Sequence, residues 1–118
     1  MMEQFIARVF ATRNAVHLAH WAEKSGFRHQ VLGELYESLI ESLDSLVEAH
    51  QALIGLVKVG ELPPQPKIAK IVTHLESDLE WIAVNRSKIT NKVPSIDNLV
   101  QNIEVVYLHS IYKLSNLS

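Results

Sequence analysis

Four stretches of the chain repeat apolar residues at intervals of three and four, the spacing that returns side chains to one face of an α-helix. In the first, Phe5, Val9, Thr12, Val16 and Ala19 form a stripe that Ile6, Phe10 and Arg13 widen, predicting a helix over 3–24. In the second, Leu32, Leu35, Leu39, Leu43, Leu46, His50 and Leu53, flanked by Tyr36, Val47 and Ile54, predict a long helix over 27–59. Ile68, Ile71, Leu75, Leu79 and Ile82 predict a third over 67–90, with Glu76, Asp78, Glu80 and Arg86 as its solvated face. Ile96, Leu99, Ile103, Val106 and Ile111 predict the last, over 96–114.

The breaks between these stripes are chemically distinct. Ser25-Gly26 punctuates the first, with Gly26 expected in the left-handed conformation that closes a helix. Gly33 and Gly55 each weaken the second helix by about 1 kcal/mol relative to alanine, and Gly55 marks a kink or fraying near its end. The prolines of GELPPQP, 60–66, remove donors and impose extended backbone, so this segment reads as a short, semi-rigid linker. Within TNKVPS, 90–95, Ser95 is the expected N-cap of the last helix, and Asp97 lies in its first turn. Four helices on short connections predict one all-α domain, an antiparallel four-helix bundle.

Composition narrows the function classes. The chain has 118 residues, 47% hydrophobic and 20% charged, which is the balance of one small folded domain. So short a chain buries little interior by itself, and its wide apolar stripes favour a homodimer or higher homo-oligomer. The absence of cysteine excludes disulfides, thiolate metal sites and a cysteine nucleophile, and fits a reducing cytoplasm. The opening MMEQFIARVF is charged, with too short an apolar run for a signal peptide, and no stretch approaches the roughly 18 apolar residues of a membrane span. A net charge of −2 and no basic tail give no electrostatic basis for binding nucleic acid. Ser-His-Asp arrangements, glycine-rich phosphate loops and dinucleotide fingerprints are absent.

The chemistry concentrates between His17 and Glu48. This stretch holds three of the six histidines and a ladder of carboxylates, Glu37, Glu41, Asp44 and Glu48, stacked on one helical sector. Like charges stacked in this way repel unless solvent or a cation separates them. His20 falls on the inward arc of the first helix, His17 lies about 60° further round, and His29, Asp44 and Glu48 flank the leucine stripe of the second. His29 and Asp44 are 15 residues apart, roughly 22 Å along one helix, so they cannot share an ion within a subunit. Across a two-fold axis they can: His20 and His29 of one chain would meet Asp44 and Glu48 of the other, with His17 and Glu41 in reserve. Nitrogen and carboxylate ligands together suit Fe, Mn or Zn better than Mg or Ca. His50, His74 and His109 are isolated, and Trp21, Trp81, Tyr36, Tyr107 and Tyr112 read as core or interface aromatics.

His20-Trp21, Gly26-Phe27, His29, and Asp44 with Glu48 four residues on resemble the Dps mini-ferritins. That resemblance implies iron held between two subunits, by histidines of one chain and the Asp and Glu of the other, with ferroxidase chemistry. His20 has the following tryptophan, whereas His17 has the usual distance from His29, so both remain candidate ligands. The chain is also similar to a family of small ferritin-like proteins of tailed phages without assigned function. It shares His20-Trp21, Lys24-Ser25, His29, Tyr36, Asp44 and Glu48, then Ile96-Asp97-Asn98 and Tyr112-Lys113-Leu114 with Asn116-Leu117. This second likeness spans almost the whole chain and implies a ferritin-like fold in a host cytoplasm. Ala49 stands where an arginine commonly follows the glutamate in the larger proteins, and a basic N-terminal arm is lacking. A twelve-subunit cage and DNA binding are therefore not expected. The competing expectation is a non-catalytic helical oligomer that binds a host protein or sequesters a small ligand, antagonising host defence.

Overall fold

A computed structural model describes residues 1–64 and 67–117 of the chain. They form four helices, α1 (Met2–Ala22), α2 (Gly26–Leu53), α3 (Ile71–Thr90) and α4 (Pro94–Asn116), with no strand among the described residues. α1 packs on α2 and α3, and α4 packs on the same two helices, so the four enclose one core. The body measures 43 × 28 × 22 Å, its long dimension matching the about 42 Å expected of the 28 residues of α2. No helix among the described residues is long and apolar enough to cross a membrane.

The spine of the core is the α2 stripe, in which Leu32, Leu35, Leu39, Leu43 and Leu46 are each at most 1% exposed. α1 contributes Phe5, Ile6, Val9 and Val16 as its pattern predicts, and adds Met2 and Ala15. On α3 the buried apolar positions are Leu75, Ile82 and Ile89. On α4 the buried arc is Ile96, Val100, Ile103, Tyr107, Ser110 and Leu114, rotated from the predicted stripe, which leaves Leu99, Val106 and Ile111 at its edge. The rotation exchanges a set of purely aliphatic positions for one that carries a phenol and a hydroxyl inward.

The helix ends depart from expectation for local reasons. α1 stops at Ala22, and Gly26 is the first residue of α2 rather than a left-handed terminator of α1. Ser25 is the N-cap, its hydroxyl accepting from the Arg28 backbone N–H at 3.3 Å. α2 ends at Leu53 instead of 59, because Gly55 adopts φ 130 and turns the chain away. There the Gln51 side-chain carbonyl takes the Val57 N–H at 3.0 Å. His50 is consequently only partly buried, and Leu53 and Ile54 are exposed.

α3 starts at Ile71, so Ile68 belongs to the connection, which runs from 54 to 70 and is longer than the predicted linker. Gln65 and Pro66 of that linker lie outside the described residues. Asn91 (φ 50) and Lys92 (φ 60) then form a left-handed turn, and Pro94 occupies the first turn of α4 with Val93 as N-cap. Proline's fixed φ and missing N–H suit that position, and so displace Ser95 from the capping role.

The contrast between Leu39 and Leu53 is testable. Leu39→Ala should cost about 2–5 kcal/mol in urea denaturation, while Leu53→Ala, at 58% exposure, should change stability by about 0.5 kcal/mol or less.

Candidate functional site

The turn between α1 and α2 is fastened by Glu23, whose carboxylate accepts from the Ser25 backbone N–H (3.2 Å) and from Arg28 Nε (3.4 Å). These contacts, first of all the backbone donor at Ser25, hold the Glu23 carboxyl below its ordinary pKa. The turn sets His20 beside His29, with rings stacked at a centroid distance of 3.7 Å and 20° between planes. Each ring uses Nδ1 on the other residue's carbonyl oxygen, His20 to His29 at 2.5 Å and His29 to His20 at 2.6 Å. A carbonyl only accepts, so both Nδ1 atoms carry protons, and in the neutral rings both Nε2 atoms keep their lone pairs.

Gly33 makes this close approach feasible. A Cβ at that position would lie 2.9 Å from His20 Cε1, and the His20 ring, held by its hydrogen bonds, cannot swing aside freely. His17, one turn back, stacks on Tyr36 at 3.9 Å and touches Trp21 at 4.7 Å. Lost hydration there lowers the pKa of His17, the Arg13 charge adds to the effect, and the carboxylate of Glu37 opposes it. The Arg13 guanidinium lies over the Tyr36 ring, 5.1 Å from its centre, with its Nε buried and without a hydrogen-bond partner among the described residues. Trp21 itself is 68% exposed.

The structure thus brings His17, His20 and His29 together with Tyr36, and does not bring Asp44 or Glu48 to them. Both carboxylates are exposed further along α2, on the face they share with Glu37 and Glu41. α2 is one continuous helix, so the roughly 22 Å between His29 and Asp44 stands. Among the described residues, no group of three or more His, Asp or Glu side chains could hold a metal ion.

A second cluster was not anticipated. Asp78, read from the sequence as part of a solvated face, has no solvent exposure at all. Its Oδ1 accepts from Arg8 Nη1 (2.6 Å), and its Oδ2 accepts from the Thr12 hydroxyl (2.5 Å) and the Tyr107 hydroxyl (2.7 Å). Thr12 Oγ1 also meets His74 Nε2 at 2.8 Å. Since the Thr12 proton goes to Asp78, His74 is the donor in that contact. Burial, and then the charge of Asp78, push the Tyr107 phenol well above its ordinary pKa. The signal for Asp78 was present in the spacing: it stands three residues after Leu75 and four before Ile82, inside the apolar stripe. A simpler pair of contacts ties α3 to α4, where Arg86 meets Asp97 at 2.7 Å and Glu104 at 2.6 Å.

With four helices around one core and three of the six histidines gathered beside the α1–α2 turn, the molecule is a small helical-bundle protein. Residues 20–114 match DUF5856, a family of unknown function, and the chain belongs to that family. The match includes His20, His29, Asp44, Glu48, His74, Asp78 and Tyr107, while His17, Arg8 and Thr12 precede it. No curated protein matches the chain, and no solved structure does.

Two outcomes follow from the buried carboxylate. Asp78→Ala leaves the Arg8 charge and two hydroxyls without their acceptor and should cost about 3–5 kcal/mol, against about 1 kcal/mol or less for the half-exposed Asp97→Ala; thermal and urea denaturation compare them. The raised pKa of Tyr107 favours the neutral phenol in the folded state, so its contribution is complete below the ordinary phenol range. It is lost as pH rises through the folded value. In an alkaline absorbance titration, one of the three tyrosines should therefore ionise only as helicity disappears.

Proposed function

We propose that this chain is a ferritin-like protein that binds Fe(II) between two subunits, with Mn and Zn as the alternative metals, and oxidises it. The observation that carries the reading is the reciprocal bonding of His20 and His29, which leaves two Nε2 lone pairs at the boundary of the α1–α2 face. Metal-ligating histidines characteristically give their other ring nitrogen to a carbonyl or carboxylate, which fixes the tautomer as here.

The course of the helices supports an antiparallel ferritin-like bundle. Contacts run Phe5–Trp81, Arg8–Asp78 and Thr12–His74, rising along α1 as they fall along α3. His17–Tyr36 with His20–His29, and Asp78–Tyr107 with Arg86–Asp97, indicate the same opposition in the α1–α2 and α3–α4 pairs. α2 and α3 then run the same way, and the 54–70 connection has to travel the length of the molecule. At about 3.3 Å per residue its reach is roughly 55 Å, enough for the 43 Å body. One long crossover of this kind characterises ferritin-like bundles.

In the proposed dimer, helices α1 and α2 pair with their mates about a two-fold axis. His20 and His29 of one chain face Asp44 and Glu48 of the other, and His17 and Glu41 stand next to the ligand set. The exposure of Trp21 and Leu18 beside the histidines, and of all four ladder carboxylates, supports a face that is completed by a second copy. Each Fe(II) gives up one electron, so two reduce one hydrogen peroxide to two waters with uptake of two protons. The carboxylates stabilise the harder Fe(III) product.

Native mass spectrometry under anaerobic Fe(II) tests this directly. The expected result is a dimer or larger oligomer with one iron per subunit, lost in the Asp44→Ala/Glu48→Ala double variant and in His29→Ala while helicity is retained. An oligomer that takes up no iron, manganese or zinc would overturn the metal reading and favour a non-catalytic binding protein.

A further inference from the structure

We propose a second site, independent of the histidine cluster: the groove between α1, α3 and the Pro63–Pro64 segment binds a small carboxylic acid with a flat apolar body. The groove encloses about 430 Å³, within the range of small-molecule sites. Ala7 and Ala11, one turn apart on α1, leave this volume open because their side chains end at Cβ. Trp81 and the two prolines supply the facing apolar walls. The Trp81 ring is held in place from behind by Phe5, parallel to it within 5° at 6.3 Å.

The polar edge decides the ligand's chemistry. Asp78 lines the groove, yet it has no exposure and its oxygens already receive Arg8, Thr12 and Tyr107, so it offers nothing to a ligand. Arg8 is different. Among the described residues only its Nη1 is engaged, on Asp78, and a guanidinium carries five N–H donors. Its side chain is 32% exposed and its guanidinium carbon lies 4.9 Å from the Trp81 ring centre. His74 gives its Nε2–H to Thr12, so in the neutral ring its Nδ1 is an acceptor and adds no donor for a ligand.

The donors open to a ligand are thus those of Arg8, beside a flat aromatic wall. A carboxylate takes two N–H groups of one guanidinium in a planar fork, and an attached ring lies against Trp81. Asp78 already meets the Arg8 charge at 2.6 Å, so the unpaired N–H groups select the ligand: a cationic group offers them no acceptor, and an uncharged one pairs them less strongly. A phosphate dianion would bring two charges to a single arginine among mainly apolar walls. Arg8 and His20 stand 12 residues apart on α1, roughly 18 Å, so the two sites do not overlap.

The test uses the full chain and three fluorinated probes of one shape, 4-fluorobenzoate, 4-fluorobenzyl alcohol and 4-fluorobenzylamine, followed by ¹⁹F NMR titration. The expected result is saturable binding of the benzoate, about tenfold or more tighter than either other probe, as loss of a charge-assisted hydrogen bond implies. Arg8→Lys keeps a positive charge for Asp78 but removes the fork, and should weaken benzoate binding about tenfold. Ala11→Phe fills the groove without replacing any residue of the polar network, and should abolish binding with helicity intact. Ala7→Leu should do the same, which keeps the test decisive if one of the filling variants misfolds. Equal binding of the three probes, no binding of any, or benzoate binding that survives the filled groove would overturn the proposal.

Discussion

A carboxylate shut away from water must be met by donors from within the protein, and Asp78 draws them from α1 and α4 while itself standing on α3. Burying an ionised group with one partner missing costs several kcal/mol, so Arg8, Thr12 and Tyr107 have to arrive together. Apolar side chains tolerate small slides past one another, but these hydrogen bonds do not. The leucines of α2 supply most of the dry volume, and the Asp78 cluster specifies how the other three helices must be rotated and aligned around them. The inward turn of Tyr107 and Ser110 on α4 belongs to that alignment.

The histidine end of the molecule is organised by the opposite circumstance, an absence of side chain. Gly33 has no role in a turn; it sits inside a regular helix, where it is intrinsically unfavourable. Its position is explained by the His20 ring lying where a Cβ would be. That lets two backbone carbonyls and two imidazoles close a reciprocal set of bonds across the α1–α2 turn. Such bonding pins both rings and commits their Nδ1 atoms, so that in the neutral rings Nε2 keeps its lone pair.

How much of this was readable beforehand depended on the kind of signal. Helix number and the α2 leucine stripe followed from periodicity, because burial of one helical face repeats every three to four residues. The ends were less legible, since Gly55, Ser25 and Pro94 each compete with neighbouring signals and only local geometry decides among them. Sequence placed His17, His20 and His29 at boundary positions on two consecutive helices, but the stacking of His20 on His29 depends on the room left by Gly33, which periodicity does not report. Asp78 was missed because residue type was allowed to outweigh position: a carboxylate on the apolar arc reads as exposed until its donors are known. Those donors are 70, 66 and 29 residues away, a separation at which pattern within one helix carries no information.

The 54–70 connection also divides the molecule in a way the core does not. α1 with α2, and α3 with α4, are joined by turns of a few residues, whereas the contacts of α2 with α4 and of α1 with α3 span that long segment. Contacts within each helix pair are local in sequence and those between the pairs are distant, so docking the pairs has to close the longest loop of the chain. Closing a connection costs free energy only with the logarithm of its length, about 0.6 kcal/mol for each doubling. The segment can therefore lengthen at modest thermodynamic cost while the two helix pairs keep the apolar faces they bury against each other.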